Sequence, residues 1–340
     1  MEEILSPSLA NMDTKKAYDI RIIPGTSNPT LVQDICQILE IPPELANIGK
    51  FADGEIQIEL ETNVRGSDTF IIQPTCPPYV NDALMELLLL IDTLSRSSAK
   101  RITVVIPYFG YARQDQKAKS RVPISASVVA SMIEKLGPQR VVTVDLHCGQ
   151  IQGFFHKTPV DNLFAINEMI KYLQKNWILY LGELEAKNLA IVSPDAGGVP
   201  RANSFAEKIK AETVITILKR REQANMVKSM QMVGNVEGKT CIIVDDIIDT
   251  AGTLCKAADL LIENGATNVM ACATHGLFSG EALDRIEKSH INAVFVTDTL
   301  PQNYNQKKCY KLRVVTLAPL LAEAIQHIHD EKSLNSLFKS

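Results

Sequence analysis

Residues 241 to 253 read Cys-Ile-Ile-Val-Asp-Asp-Ile-Ile-Asp-Thr-Ala-Gly-Thr, and this stretch decides the fold. Its first four residues are apolar and favour β structure, as in a buried parallel strand. Residues 254–263 then carry apolar side chains at helical spacing. The pattern predicts a strand, a tight loop and the N-terminus of a helix over residues 253–263. Free backbone N–H groups in residues 250–253 would converge on one spot, where the helix dipole favours an anion.

Three carboxylates, those of Asp245, Asp246 and Asp249, lie beside this loop. Carboxylates repel phosphate, so Asp245 and Asp246 are better suited to accept hydrogen bonds from sugar hydroxyls. An anion-binding loop next to hydroxyl acceptors fits a sugar phosphate. The alternative is an ordinary strand-to-helix turn with Thr253 as its N-cap, which the doubled aspartate disfavours.

This stretch closely resembles the phosphoribosyl pyrophosphate (PRPP) binding loop of type I phosphoribosyltransferases and PRPP synthetases. The resemblance implies that the loop holds the phosphate of ribose 5-phosphate and that the paired acids face the ribose hydroxyls. The residues implicated in ribose 5-phosphate binding are Asp245, Asp246, Asp249, Thr250, Ala251, Gly252 and Thr253.

Composition excludes several classes of protein. The chain has 340 residues and a net charge of −4, so it lacks the generally basic surface of a nucleic-acid binder. No apolar run approaches the roughly 18 residues that span a membrane. The N-terminus has neither the basic start nor the apolar core of a signal peptide. Seven cysteines are scattered without a Cys-x-x-Cys pair, which disfavours a zinc site and fits a reducing, cytoplasmic location.

Strand and helix patterns alternate along the whole chain, which predicts an α/β fold with largely parallel sheets flanked by helices. A repeated sequence pattern indicates that the chain has two similar halves. In each half a helix is followed by a glycine, an apolar strand and a histidine ten residues after the glycine: Gly137 with His147, and Gly265 with His275.

We therefore expect four segments. Residues 1–18 form a loose extension, residues 19–163 and 164–319 form two phosphoribosyltransferase-like domains, and residues 320–340 form a C-terminal helix that packs back on the first domain. Only the second half has the short anion-binding loop. The first half has a long polar loop over residues 108–123 instead.

Two further polar positions follow predicted strands. His147 lies in Asp-Leu-His-Cys-Gly-Gln-Ile-Gln-Gly-Phe-Phe (145–155), and Asp195 lies in Ser-Pro-Asp-Ala-Gly-Gly (193–198). Side chains just past strand ends line the ligand crevice of such sheets. Together His147 and Asp195 could hold Mg²⁺, with phosphates and water supplying the other ligands. A lone histidine at a strand end is more often structural.

These motifs and the 241–253 stretch, in this order, resemble the ribose-phosphate pyrophosphokinases, or PRPP synthetases, from about residue 19 to the C-terminus. The resemblance implies transfer of the β,γ-diphosphoryl group of ATP to the C1 hydroxyl of ribose 5-phosphate. It also implies that His147 and Asp195 form the Mg²⁺ site and that His147 contacts ATP.

The other ATP contacts are also implied by resemblance. Phe51, Asp53 and Glu55 match the family's ATP-binding turn, in which the loop reaches a neighbouring subunit; read alone, Ala-Asp-Gly-Glu is simply a good turn. Arg113 and Gln114 match an ATP-contacting pair in a loop that otherwise reads as solvated. Many relatives carry an acid where this chain has Ala118, so the resemblance does not specify the detailed nucleotide or effector contacts of this loop.

The segment over residues 219–235 is long, polar and rich in methionine, and it matches the family's catalytic flexible loop. The resemblance makes Lys219 and Arg221 stabilisers of the charge that develops on the phosphoryl oxygens. Relatives often have proline where this chain has Glu222.

The resemblance further implies a homo-oligomer built from dimers, commonly a hexamer, with phosphate and ADP as effectors. Two rival functions remain open. A phosphoribosyltransferase shares the sugar-phosphate loop but needs neither the Phe51 turn nor a duplicated domain. A catalytically silent paralogue or an RNA-binding repressor of this fold would have lost catalytic residues or gained a basic face.

Overall fold

The structure is a computed structural model that describes residues 18–176, 188–223 and 226–338, without the side chains of residues 219–229. Strands and helices alternate through most of it. In the first half they are β1 (Ile20–Pro24), α1 (Pro29–Leu39), β2 (Ala46–Lys50), β3 (Ile56–Leu60), β4 (Asp68–Ile72), α2 (Val80–Arg96), β5 (Arg101–Ile106), α3 (Ser125–Lys135), β6 (Arg140–Val144), a short 3₁₀ helix (Gly149–Phe154) and β7 (Val160–Leu163).

The second half repeats the alternation. Its elements are α4 (Ile166–Lys175), β8 (Leu189–Ser193), α5 (Val199–Ile209), β9 (Thr213–Gln223), β10 (Met226–Val233), β11 (Thr240–Ile248), α6 (Gly252–Glu263), β12 (Asn268–Gly276), α7 (Ala282–Lys288), β13 (Ala293–Thr297), α8 (Asn303–Lys308), β14 (Leu312–Val315) and α9 (Ala318–His329).

Within the described residues, the first sheet has the order β1-β4-β5-β6-β7 and all its strands are parallel. Successive residues of one strand point to opposite faces. Ile71 accordingly packs in a cluster with α2 and α3, while Ile72 packs in a second cluster with α1 and α9. Both faces are buried, which explains the continuous apolar runs of these strands.

The second sheet has the order β10-β9-β8-β11-β12-β13-β14 in the described part of the chain. Its strands are parallel except for β10, which pairs antiparallel with β9. One face packs against α4 and α5, and the other against α6 and α7. The apolar run that begins at Cys241 therefore belongs to a central strand, β11, between β8 and β12.

The C-terminal helix α9 packs on α1 of the first sheet. Its end is held by Asp68, a fully buried carboxylate that accepts a hydrogen bond from His329 Nδ1 at 2.9 Å and pairs with Arg101. A buried carboxylate is stable only with such partners. These contacts tie the C-terminal end of the chain to the beginnings of β4 and β5.

Two elements differ from the sequence prediction. Strand β11 continues to Ile248 instead of ending at Val244, so Asp245 and Asp246 lie within the strand rather than after it. The segment over residues 219–235, which the sequence matches to a flexible loop, lies largely in the antiparallel pair of β9 and β10. Residues 226–233 pair with residues 216–223 through their backbones, and a search for helical spacing does not detect such a pair of strands. In the described ranges, no helix is both long and apolar enough to cross a membrane.

Candidate active site

The carboxyl ends of three parallel strands meet at a cavity of about 500 Å³. This is where ligands bind in open α/β sheets. The chemistry-bearing residues that line it come from β11, from the turns after β6 and β8 and from the first turn of α5: Asp145, His147, Asp195, Arg201, Asp245 and Asp246. His147 comes from the first sheet and Asp195, Asp245 and Asp246 from the second, so the cavity lies where the two halves meet.

Asp246 is the electrostatic centre of this cavity. One of its oxygens, Oδ2, lies 2.5 Å from Nδ1 of His147, and the other, Oδ1, lies 3.5 Å from Nη1 of Arg201. Burial by itself would raise the pKa of Asp246, but the His147 hydrogen bond and the Arg201 charge lower it below its ordinary value. The same hydrogen bond raises the pKa of His147, against burial, which opposes it. Asp246 is thus held as a carboxylate.

Asp245 behaves in the opposite way. Burial raises its pKa, and repulsion from the adjacent Asp246 carboxylate raises it further. Two neighbouring carboxylates rarely ionise equally, since each disfavours the charge of the other. The backbone N–H of Asp246 donates to Asp245 Oδ1 at 2.9 Å. The ionised Asp246 carboxylate is therefore a hydrogen-bond acceptor, and Asp245, whose pKa is raised, is suited to sharing a proton. Such a pair fits two sugar hydroxyls.

The donors at this cavity are compatible with a magnesium ion. No group of three or more His, Cys, Asp or Glu side chains capable of holding a metal occurs in the described ranges. Mg²⁺ commonly takes only one or two protein groups and completes its shell with water and phosphates. His147 has Nδ1 bound to a carboxylate, an arrangement that orients the ring and leaves Nε2 for a metal. Asp195 lines the same cavity, so the predicted pair fits.

The loop after β11 was predicted to bind an anion, and its residues 249–253 follow the Asp245–Asp246 pair but are not among those that line the cavity. Helix α6 begins at Gly252, one residue earlier than predicted, and no side chain caps its N-terminus. The interpretation of Thr253 as an N-cap is therefore wrong. Ala251 has a left-handed backbone, with φ of 58°. This conformation costs a non-glycine residue about 1 kcal/mol. The uncapped N–H groups of the first turn remain available to an anion.

The long loop of the first half reaches this region through Arg113. Nη1 of Arg113 lies 2.6 Å from Oδ2 of Asp249, so a predicted ATP contact touches a predicted ribose 5-phosphate contact. The loop begins deeply buried at Tyr108 and Phe109, and only its later part is solvated as predicted. Gln114 is exposed and bonds Ser125 at the start of α3.

The structure does not bring the Phe51 turn to the cavity, because none of its residues is among those that line it. Phe51, Asp53 and Glu55 form the exposed turn between β2 and β3. Phe51 N donates to Glu55 O at 2.8 Å and Gly54, at φ 95°, closes the turn. Phe51 is 51% exposed. These residues form the turn that the sequence predicts, and their predicted contact with ATP stays a prediction.

Lys219 and Arg221 lie on β9, where their backbones pair with Met230 and Val227. Their side chains fall outside the described atoms. The predicted roles of these two cations therefore remain predictions.

Sequence reasoning missed Arg201. It lies at the start of α5, three residues after the Asp-Ala-Gly-Gly turn, and its side chain reaches Asp246. The sequence did offer a signal: an arginine in the first turn of a helix that directly follows a candidate ligand-binding loop.

Sequence reasoning also missed a buried network around Asp145. Asp145 Oδ2 accepts hydrogen bonds from Thr274 Oγ1 at 2.7 Å and from the backbone of Ala165 at 3.0 Å. His275 Nε2 lies 3.2 Å from the carbonyl of Asp145, and its Nδ1 lies 2.9 Å from Thr299 Oγ1. Because a carbonyl only accepts, Nε2 carries the proton and Nδ1 accepts from the threonine hydroxyl. This network fixes Asp145, which has φ of 42°, two residues before His147.

Comparison with known proteins agrees with this geometry. The family described as the N-terminal domain of ribose phosphate pyrophosphokinase matches residues 20–137, and the phosphoribosyl synthetase-associated domain matches residues 220–339. The ribose-phosphate pyrophosphokinases of Chromobacterium violaceum and of Neisseria meningitidis serogroup A are each 50% identical over 324 residues, covering 95% of this chain and 96% of the relative.

The fold is similarly matched. A crystal structure of phosphoribosylpyrophosphate synthetase from Mycobacterium smegmatis superposes with a TM-score of 0.84 at 38% identity, covering 92% of this chain and 99% of that one. The predicted α/β class, with largely parallel sheets flanked by helices, is confirmed. With sequence identity sustained over nearly the whole length and motifs that meet in one cleft, the chain belongs to the ribose-phosphate pyrophosphokinase family of enzymes.

Proposed function

We propose that this chain transfers the β,γ-diphosphoryl group of ATP to the C1 hydroxyl of ribose 5-phosphate. The hydroxyl oxygen bonds to the β-phosphorus while the bond from that phosphorus to the α,β-bridging oxygen breaks. AMP leaves, the hydroxyl proton is lost, and PRPP is formed. The observation that carries the proposal is one cavity lined by His147 and the Asp245–Asp246 pair, on the strand that leads into the uncapped N-terminus of α6.

The ribose 5-phosphate half of the site rests on β11 and α6. The N–H groups of residues 250–253 hold the 5-phosphate, and Asp245 and Asp246 accept from the ribose hydroxyls. Asp249 keeps Arg113 beside the sugar-phosphate loop. Fixing the sugar in this way converts a bimolecular encounter into a reaction between held groups, which supplies much of the acceleration in phosphoryl transfer.

The ATP half of the site combines residues from several places. Arg113, Gln114 and His147 contact the nucleotide within the chain. Phe51, with Asp53 and Glu55, serves the cavity of a neighbouring subunit, since its exposed turn lies away from its own chain's cavity. Lys219 and Arg221 stabilise the negative charge that develops on the phosphoryl oxygens.

Mg²⁺ is the proposed metal, held by His147 and Asp195, and when bound it neutralises phosphate charge. Asp246 keeps the His147 ring in one orientation, and Arg201 shares that carboxylate. Chelation of Mg²⁺ should abolish turnover. His147→Ala should raise the Mg²⁺ concentration needed for half-maximal rate about tenfold or more, which is the usual effect of losing one ligand or its support.

The segment boundaries at residues 18, 163 and 319 remain our proposal for the domain division, as does an assembly built from dimers into a hexamer with phosphate and ADP as effectors. The seven cysteines are all unpaired in the described residues, which supports a reducing, cytoplasmic location.

The direct test mixes the purified protein with ATP, Mg²⁺ and ribose 5-phosphate and follows AMP release. We expect AMP only when ribose 5-phosphate is present. Release of ADP would mean ordinary γ-phosphoryl transfer and a wrong reaction type. A folded sample that binds PRPP and turns over no nucleotide would favour a phosphoribosyltransferase or a silent paralogue.

A further inference from the structure

The loop that carries the proposed 5-phosphate site is held from behind by one neighbouring segment. The carbonyl of Ile248 accepts from Leu277 N at 2.8 Å, and the carbonyl of Asp249 accepts from Ser279 N at 3.1 Å. The carbonyl of Thr250 accepts from Nη1 of Arg285 at 2.9 Å. Three consecutive carbonyls are thus held by residues 277–285. The last of these contacts is made by a side chain.

The Arg285 contact fixes the orientation of one peptide group. In a trans peptide the C=O of one residue and the N–H of the next point in opposite directions. Holding the Thr250 carbonyl towards Arg285 therefore directs the N–H of Ala251 away from Arg285, and it is on that side that our proposal places the 5-phosphate.

This orientation needs support because it is strained. The peptide plane between residues 250 and 251 can flip by a coupled change in ψ of Thr250 and φ of Ala251. Ala251 has φ of 58°, a left-handed value that is unfavourable for an alanine. A flip would return φ to its ordinary negative range and would turn the Ala251 N–H away from the anion. The flipped conformation, in which Ala251 is unstrained, would therefore bind phosphate less well than the present one.

Arg285 is positioned by its own helix. It lies on α7, where Nη2 is 3.5 Å from Oε2 of Glu281 one turn earlier. Both side chains are substantially exposed, so this ion pair contributes little to stability. A different nitrogen of the guanidinium, Nη1, donates to the Thr250 carbonyl.

We propose that Arg285 is a positioning residue for substrate: it stabilises the strained Thr250–Ala251 peptide in the orientation that binds the 5-phosphate of ribose 5-phosphate. This inference rests on the proposed function, since it concerns the same loop. It adds a residue outside the motifs and about 35 positions downstream of the loop.

The test measures AMP release at varied ribose 5-phosphate and, separately, at varied ATP for wild type, Arg285→Gln and Arg285→Lys. We expect Arg285→Gln to raise KM for ribose 5-phosphate about tenfold and to change kcat and KM for ATP less than twofold. Arg285→Lys keeps a donor and should be intermediate. Glu281→Gln, which removes the exposed partner, is the matched control and should remain within twofold of wild type.

A second background separates peptide orientation from simple attraction between the Arg285 charge and phosphate. Glycine adopts positive φ readily, so Ala251→Gly removes the strain that favours the flip. In that background, loss of Arg285 should raise KM for ribose 5-phosphate by no more than about threefold. An undiminished tenfold effect would mean that Arg285 acts through its charge, and the proposal would be wrong.

The remaining outcomes are also decisive. An unchanged KM for ribose 5-phosphate in Arg285→Gln, or a fall in kcat with KM unchanged, overturns the proposal while leaving the reaction itself intact. Failure of the wild type to release AMP overturns the proposed function instead. If Arg285→Gln fails to fold, as judged by circular dichroism, the effect of Arg285→Lys is compared with and without Ala251→Gly, and the same criterion decides the matter.

Discussion

His147 Nδ1 and Asp246 Oδ2 lie 2.5 Å apart, although the residues are 99 positions apart in the chain and belong to different sheets. Each was identified separately in the sequence, one as a metal ligand and the other as a sugar-binding acid. Their contact joins these two roles, because the carboxylate that would accept from the ribose also orients the imidazole that would hold the metal.

Replacing Asp246 by Asn should lower the pKa of His147, because the hydrogen bond to Asp246 is the largest cause of its elevation. A group whose pKa is raised in the folded protein stabilises the fold at low pH and loses that contribution as pH rises through the folded pKa. The free energy of unfolding lost in Asp246→Asn should therefore be larger at pH 6 than at pH 9. NMR titration of the His147 ring and urea denaturation at both pH values check this. A His147 pKa that does not fall would contradict it.

For His275 we expect the free energy of unfolding to depend on pH in the opposite direction. Burial lowers its pKa, so the unfolded chain takes up a proton more readily than the native protein does. Stability should be fully present above the unfolded pKa of about 6.5 and should be lost as pH falls below it. His275→Gln, which can still donate to the Asp145 carbonyl, should lose less stability than wild type between pH 7 and pH 5.5.

Thermal unfolding across that pH range measures the His275 effect. His290→Gln is the control, since His290 is exposed and pairs with Asp259 at the surface. Parallel pH curves for wild type and His275→Gln would show that His275 does not contribute to acid sensitivity.

The ion pair between Arg113 and Asp249 should couple the two substrates. Removing a hydrogen bond to a charged group costs about 1.5–3 kcal/mol, so Arg113→Ala should raise KM for ATP tenfold or more. If Asp249 holds Arg113 in place for ATP, then Asp249→Ala should raise KM for ATP in the wild-type background and have little further effect beside Arg113→Ala. Lys119→Ala, an exposed cation of the same loop, is the control. Additive effects in this double-mutant cycle would argue against coupling.

Lys219→Ala should lower kcat on the order of 10²-fold or more, as for the removal of other groups that stabilise developing charge. Lys135→Ala, an exposed lysine at the end of α3, should leave the rate unchanged. Steady-state AMP release measures both. Near-normal turnover in Lys219→Ala would remove the β9–β10 hairpin from the mechanism.

Phe51 provides a test of function across subunits. At a Mg²⁺ concentration that half-saturates the wild type, Phe51→Ala and His147→Ala should each retain only a small fraction of wild-type activity as pure proteins. If the Phe51 turn serves a neighbour, subunits denatured together and refolded as a mixture should recover activity, because some cavities then combine an intact turn with an intact His147. A mixture that stays as inactive as its two components would place Phe51 outside the active site.

Much of the fold could be predicted from contiguous residues. The apolar run ending at Val244 and the helical spacing after Thr253 predicted β11 and α6, with errors of a few residues at their joined ends. The errors have a physical cause. Asp245 and Asp246 continue the strand because parallel neighbours, β12 among them, pair with it, and that pairing is invisible to local propensity. The hairpin of β9 and β10 was missed because its stability also comes from neighbouring strands.

Within the candidate site, the sequence predicted the residues that stand in recognisable motifs. It did not predict Arg201, His275 or Arg285, because each acts on a residue far away in the chain. Arg285 in particular has an ordinary helical context, and nothing near it in sequence indicates that it holds the Thr250 carbonyl.

The sequence by itself determined the kind of fold, the strand, loop and helix around the candidate anion site, and the family, because these signals and the family's motifs lie in consecutive residues. Tertiary structure alone decided which residues meet: His147 with Asp246, Arg113 with Asp249, and Arg285 with Thr250. The first two contacts depend on how the two halves are packed together, and the third depends on how α7 packs beside the loop after β11. Packing is set by many buried contacts between distant residues, which no local stretch of sequence specifies.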